Sequence, residues 1–183
     1  MRVTAETKEA TRLAILHTTR KLLLQEGWQN LSTREIASEA GIANGTLFNY
    51  FPTKEAIVGT LVADALADVN ATPTTGSVEE QLFALIASGL RRLRPLRSFL
   101  AFVVDSILAH DSERIRSEHM AAVERILGQS LTPMLRHLYW SLYAGVITFW
   151  IADTSRKHED TLAFVDHSVA LFADALRRKE SGA

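Results

Sequence analysis

The sequence contains no cysteine. That excludes disulfides, thiolate nucleophiles and cysteine-ligated zinc. It has four prolines and nine glycines in 183 residues, so long stretches carry no helix breaker. Charge of one sign is missing too: 20 Lys and Arg stand against 21 Asp and Glu, a net charge of −1. The chain is no polycation, and any anion-binding surface has to come from local placement of Lys and Arg. The longest near-continuous apolar run, "LYAGVITFWIA" at 142–152, falls well short of the roughly 20 residues that span a bilayer. The polar start "MRVTAETKEATR" has no apolar run behind it, so no signal peptide is expected and the expected location is cytoplasmic. No P-loop, Rossmann glycine pattern, nucleophile elbow or HExxH motif occurs. The six histidines, at 17, 110, 119, 137, 158 and 167, include no pair at i, i+4. No catalytic residue, metal or cofactor is therefore expected, and the chain is not expected to be an enzyme.

What the chain has in quantity is helical periodicity. With 47% hydrophobic and 22% charged residues, it can bury a core at this length. Ile15, Thr19, Leu22 and Leu23 form one stripe, Leu13 and Leu24 lie off it, and Gly27 ends the helix. Ser32 followed by Glu35 is a capping box, which starts a second helix at Thr33 that Gly41 stops. A third short helix is expected over 44–50. Pro52 breaks the chain and Thr53 caps a fourth helix over 54–69. The Thr-, Pro- and Gly-rich stretch 70–77 reads as a loop, as does 153–160. Between and beyond them, helices are expected near 78–93, 96–110, 111–129, 133–152 and 159–178. There is no repeat, no low-complexity segment and no convincing strand. The expected fold is all-α, with a small N-terminal unit over 1–52 and a larger helical bundle over 53–183, joined by the helix within 53–69.

The stretch "GIANGTLFNYFPTKEA", 41–56, carries the chemistry. A hairpin around Asn44-Gly45 is disfavoured, because a capped helix and Gly41 precede it instead of an alternating strand. Ala37, Gly41 and Leu47 have the spacing of a helix-turn-helix. The two helices cross closely at Ala37, Gly41 supplies a positive φ, and Ile42 and Leu47 plug a small core with Ile36 and Phe51. The third helix turns small or polar side chains outward: Asn44, Gly45, Thr46 and Asn49. Gly45 admits close approach, Thr46 offers a methyl and a hydroxyl, and asparagine can pair with an adenine edge in the major groove. Tyr50 and Lys54 can hold phosphates, as can Thr33 and Arg34 at the start of the second helix. Phe48 and Tyr50 also fit as core aromatics, and Lys54 as a solvated lysine; the cluster persuades more than its members.

"LSTREIASEAGIANGTLFNYFPTKEAIVGTLV", together with "AILHTTRKLLLQEGW" before it, resembles the DNA-binding domain of the TetR (tetracycline repressor) family of bacterial regulators. The resemblance covers about residues 7–62 and is specific in order and spacing. It implies three helices in the DNA-binding unit, with the third in the major groove. It places Thr33 and Arg34 on the backbone, Asn44, Gly45, Thr46 and Asn49 toward bases or nearby phosphates, and Phe48, Tyr50 and Lys54 along the groove edge. The family commonly has a serine or another cap where Ala43 stands, so Asn44 is expected to cap one residue later. It often has Tyr and His where this chain has Phe48 and Asn49, which removes a hydroxyl and a possible charge. Arg2, Lys8 and Arg12 can supply charge from an N-terminal arm or form an ordinary solvated terminus.

Past residue 70 the resemblance implies a dimerisation and ligand-binding bundle. The last two helices look like the pair that forms a four-helix dimer interface. Leu142, Val146 and Phe149 make one stripe and Leu162, Val165, Val169, Phe172 and Leu176 another; the last helix needs a partner surface, in a second copy or, as the alternative, within the chain itself. Reading a pseudo-palindromic operator also takes two copies. The middle helices would enclose a largely apolar cavity, with Phe99, Phe102, Val103, Ser106, Met120, Trp140 and Tyr143 as lining candidates and Asp105 and His119 as polar fixings. The expected partners are double-stranded DNA, a second copy of the chain and an uncharged or weakly charged hydrophobic effector, with no membrane. A ligand-released repressor leads. An activator or coregulator of the same fold, and a helical carrier or enzyme with an idle DNA-binding unit, stand as alternatives.

Overall fold

The computed structural model describes residues 4–71, 75–106 and 112–181. The described residues form nine α-helices and no strand: α1 Ala5–Glu26, α2 Thr33–Glu39, α3 Asn44–Phe48, α4 Lys54–Ala71, α5 Val78–Leu93, α6 Arg97–Ser106, α7 Ser112–Leu127, α8 Pro133–Ala152 and α9 Glu159–Ser181. Thr4 caps α1, accepting from the Thr7 amide, and Gly27 closes it at φ 79°. α2 opens with the expected reciprocal box: Ser32 Oγ accepts from the Glu35 amide at 3.2 Å, and Glu35 Oε2 accepts from the Ser32 amide at 2.8 Å. Thr53 caps α4 by accepting from the Ala56 amide at 3.1 Å. Ser77 and Glu80 form a second capping box on α5, and Thr132 followed by Pro133 starts α8. These groups take up amide donors that helix N-termini otherwise leave unpaired.

α1 to α3 pack into a small unit. Ile15, Leu23, Ile36, Ala37 and Leu47 are all at most 1% exposed there, and Phe51 closes it. α4 leaves this unit and runs into the bundle of α5 to α9. In its first half Ile57 and Val58 are fully buried, and its second half meets α5 and α7. Three polar clamps hold that second half. Asp64 pairs with Arg114 of α7 at 2.9 Å, Asp68 with Arg92 of α5 at 2.8 Å, and the Asn70 carbonyl accepts from Arg125 at 2.9 Å. The two exposed ion pairs contribute only ~0–1 kcal/mol each, so they set register more than stability. Gly59 is buried in the middle of α4, which fits close packing.

Three expectations need correcting. Asn70, read as the start of a loop, is the buried penultimate residue of α4. Lys8 and Arg12 belong to α1, not to a flexible arm, and Arg12 is tied to Glu9 at 3.2 Å; Arg2 lies outside the described residues. The 153–160 segment is a loop only in part, because residues 156–158 make a 3₁₀ turn and α9 begins at Glu159. Asp153 organises this corner. Its carboxylate accepts from the Ser155 amide at 2.7 Å, from the Thr161 amide at 3.1 Å and from the Thr161 hydroxyl. Those donors, the Thr161 hydroxyl first, hold its carboxyl well below the usual carboxylate range. Arg97 forks onto the carbonyls of Trp150, at 2.9 Å, and Ile151, at 3.2 Å, which complements the C-terminal end of α8.

Candidate nucleic-acid interface and the core behind it

The turn between α2 and α3 is set by three amides: Ala40 donates to Ile36 O at 2.9 Å, Gly41 to Ser38 O at 3.1 Å and Ile42 to Ala37 O at 3.0 Å. Gly41 sits at φ +70°, a region that a Cβ disfavours by roughly 1–2 kcal/mol. Leu47, fully buried, pins α3 from behind while Ile42 is half-buried beside it. Arg34, Gly45, Phe48 and Asn49 are exposed, and Thr33, Asn44, Thr46 and Tyr50 are half-buried. A Cβ added to Gly45 would meet nothing within 4 Å, so no internal contact demands a glycine there.

Two members behave differently from expectation. Asn44 does not cap α3. Ala43 occupies that position with no side-chain hydrogen bond, Asn44 is the first helical residue, and its Oδ1 is buried without a partner. Lys54 is turned inward. Its ammonium donates to Trp28 O at 3.1 Å and Leu31 O at 2.8 Å and lies 4.0 Å from the centroid of the Trp28 ring. Two of its three donors are thus engaged in joining α4 to the α1–α2 connection. The carbonyls of a preceding loop leave no trace in sequence spacing, which is why a lysine near a recognition helix read as a phosphate contact.

Behind the reading unit, the bundle core is dense. Phe99, Val103, Met120, Trp140 and Tyr143 are buried in it. Phe102 is 55% exposed: it precedes Val103 by one residue, which turns it about 100° away from the buried face of α6. The side chains of Asp105 and Ser106 lie outside the described residues. His119 is fully enclosed by a polar network that the sequence did not reveal. Nδ1 meets Asn70 Oδ1 at 3.1 Å, Nε2 meets the Tyr139 hydroxyl at 3.1 Å, and the ring stacks on Tyr143 with centroids 4.1 Å apart. The partners fit a neutral imidazole that donates through Nδ1 and accepts at Nε2. Burial pulls the His119 pKa from 6.5 down to about 3 and pushes both tyrosines up. Between α5, α8 and α9 the packing leaves a void of only about 10 Å3, beside an unpartnered Ser168 hydroxyl. A wider groove of about 640 Å3 lies elsewhere, where α1 and α4 face the end of α5.

The outer face of α8 and α9 also differs in detail. Val146, Val165, Val169 and Phe172 are at most 4% exposed and face the chain's own core, and Leu142 and Leu176 are half-buried against it. Only Phe149 and Leu162 of the two expected stripes are open to solvent, and they are joined by Met134, Leu138, Phe164 and Leu171. Met134 is 73% and Leu171 61% exposed, and the Phe149 and Phe164 rings lie 5.1 Å apart. α8 is apolar on most of its circumference, so periodicity alone could not tell which side turns inward.

Among the described residues, no group of three or more His, Asp or Glu can hold a metal ion, and no helix is long and apolar enough to cross a membrane. An all-α chain that sets a capped helix, a tight glycine turn and a short outward helix in front of a helical bundle has the architecture of helix-turn-helix DNA-binding regulators. Two family descriptions match it: "Bacterial regulatory proteins, tetR family" over residues 15–61 and "Tetracyclin repressor-like, C-terminal domain" over residues 106–181. The chain belongs to the TetR family of transcriptional regulators. An uncharacterized HTH-type transcriptional regulator, YuxN of Bacillus subtilis, is 43% identical over 51 residues, which are 28% of this chain and 17% of that relative. The fold is similar to that of a TetR regulator from Rhodococcus sp. RHA1, with a TM-score of 0.76, 16% identity, and 90% of this chain and 97% of that one covered. It is also similar to Thermus thermophilus FadR, a TetR-family repressor solved with lauroyl-CoA, with a TM-score of 0.70, 21% identity, and 88% and 93% covered.

Proposed function

We propose that this regulator is a homodimeric repressor that a small hydrophobic effector releases from a pseudo-palindromic operator. The observation that carries the reading is a pair of surfaces that the fold leaves unused. One is the outward side of α3, small and polar with an unoccupied glycine. The other is the apolar strip of Met134, Leu138, Phe149, Phe164 and Leu171, which a second copy would cover. On this reading Gly45, Thr46 and Asn49 meet base edges, Asn44 does so only through its Nδ2, Thr33, Arg34 and Tyr50 meet phosphates, and Phe48 packs at the groove edge. Residues 1–52 are the reading unit and 53–183 the effector and dimer unit, acting in the cytoplasm.

α4 carries the signal, because it is bonded at one end to the Trp28 and Leu31 carbonyls and at the other to Arg114, Arg92 and His119. A shift of the bundle therefore moves the recognition helix. If effector and operator favour different spacings of the two copies, each weakens the other's binding. The lauroyl-CoA bound by the Thermus relative makes acyl compounds the first class to screen. The test is selection of bound sequences from random DNA, followed by a search for compounds that release the best site. The expected outcome is a two-fold symmetric motif, with half-sites one helical turn or a multiple apart, bound with steep salt dependence. Enrichment of an asymmetric motif, or none, would overturn the reading.

A further inference from the structure

We infer that the groove between α1, α4 and the end of α5 binds an amphipathic anion: an acyl chain ending in a negatively charged head. The inference rests on the reading of the chain as effector-controlled, and it adds the place and the chemistry of the effector. The groove encloses about 640 Å3, within the roughly 300–1,000 Å3 usual for small-molecule sites. The apolar part of its wall comes from Leu16, Leu61, Ala65 and Leu96, and Leu13, which also lines it, is 54% exposed.

Cations stand over this wall. Arg20 comes from α1, and Arg91 and Arg92 from the last turn of α5. The acid in the lining, Asp64, is already paired with Arg114 of α7 at 2.9 Å, and Arg92 is paired with Asp68 at 2.8 Å. No ion pair is formed by Arg20 or Arg91 among the described residues; Arg91 donates only to the Ser88 hydroxyl, at 2.7 Å. The groove thus presents two uncompensated guanidinium groups beside apolar surface. A guanidinium matches the forked geometry of a carboxylate or phosphate, and the wall rewards a hydrocarbon tail. A neutral hydrophobe gains only the wall, and a cation is repelled.

The location gives occupancy a consequence. Arg20 and Leu13 move with the reading unit, whereas Arg91 and Leu96 belong to the bundle. A ligand that bridges them favours one placement of α1 against α5, which is the differential contact that coupling to DNA requires.

The experiment is isothermal titration of the whole chain, without DNA, using decanoate, decanol and decanoyl-CoA. At least one of the two anions should bind ten times or more tighter than decanol, and the tighter of the two identifies the head. The double variant Arg20→Ala, Arg91→Ala should lose at least tenfold for that anion while its decanol affinity and helical circular dichroism stay unchanged. A readout that needs no variant is hydrogen exchange: the bound anion should slow exchange in residues 13–20 and 91–96. Decanol binding as tightly as both anions, an unchanged affinity in the double variant, or protection confined to α8 and α9 would each overturn the assignment, as would absence of binding by all three. Because no operator enters these measurements, failure of DNA binding and failure of the groove are read separately.

Discussion

Gly45 is a glycine that the protein's own packing does not ask for. Its added Cβ meets nothing and its φ is ordinary, yet glycine inside a helix costs roughly 0.5–1 kcal/mol relative to alanine. Gly45→Ala should therefore raise stability by up to about that amount in urea melts, while weakening operator binding in a gel-shift titration if DNA approaches there. Equal operator affinity would remove Gly45 from the contact surface. Lys54 gives the opposite pattern. Lys54→Ala abandons two carbonyls and the Trp28 ring, so a loss of about 1–3 kcal/mol in unfolding free energy is expected, with operator affinity falling because α4 is released from the reading unit. His119 makes stability depend on pH. Its folded pKa of about 3 lies below the 6.5 of an unrestrained histidine, so the unfolded chain takes up the extra proton between those values. Stability contributed by the neutral ring is complete above about pH 6.5 and should decline by up to about 1.4 kcal/mol per unit as pH falls from there toward 3. His119→Gln should flatten that slope in acid unfolding curves.

At the scale of elements, α8 and α9 show why helical stripes and helical faces are different information. Both stripes in the sequence are real, but most of their members line the chain's own core, and apart from Phe149 the outward face is built from residues beside them. This separates two classes of substitution. Leu171→Glu changes a residue that is 61% exposed; if the proposed dimer forms through this face, the variant should halve the mass seen in light scattering while leaving the melting temperature of the monomer fold nearly unchanged. Phe172→Ala, one position along, removes a ring that is 1% exposed and packs edge-on against Tyr139. It should cost about 3–5 kcal/mol of stability. Loss of the dimer in the second variant only would place the interface elsewhere.

For the whole molecule, the near-zero net charge means that attraction to DNA is local. With Lys54 turned inward, Arg34 is the one cation in the proposed contact set whose head is free to meet a phosphate, and a dimer presents it twice. Arg34→Ala should lower the slope of log affinity against log salt by about 2, near 0.9 for each lost phosphate contact, with little change in base preference. An unaltered slope would show that the charge comes from another part of the chain.

By itself, the sequence determined the helices and the reading unit, because both depend on neighbours in the chain. Capping boxes at Ser32 and Ser77, the positive-φ turn at Gly41 and the proline start of α8 are short-range devices that residue identity specifies. The expected helices over 78–93 and 133–152 accordingly have the limits found in the structure. Long-range meetings were decided only by tertiary packing. That Lys54 reaches carbonyls 23 and 26 residues back, that His119 closes on Asn70 and Tyr139, and that Arg20 and Arg91 share one groove all depend on how helices lie against each other. The inward side of α8 belongs to the same class: a helix apolar nearly all round has no preferred face until its neighbours supply one.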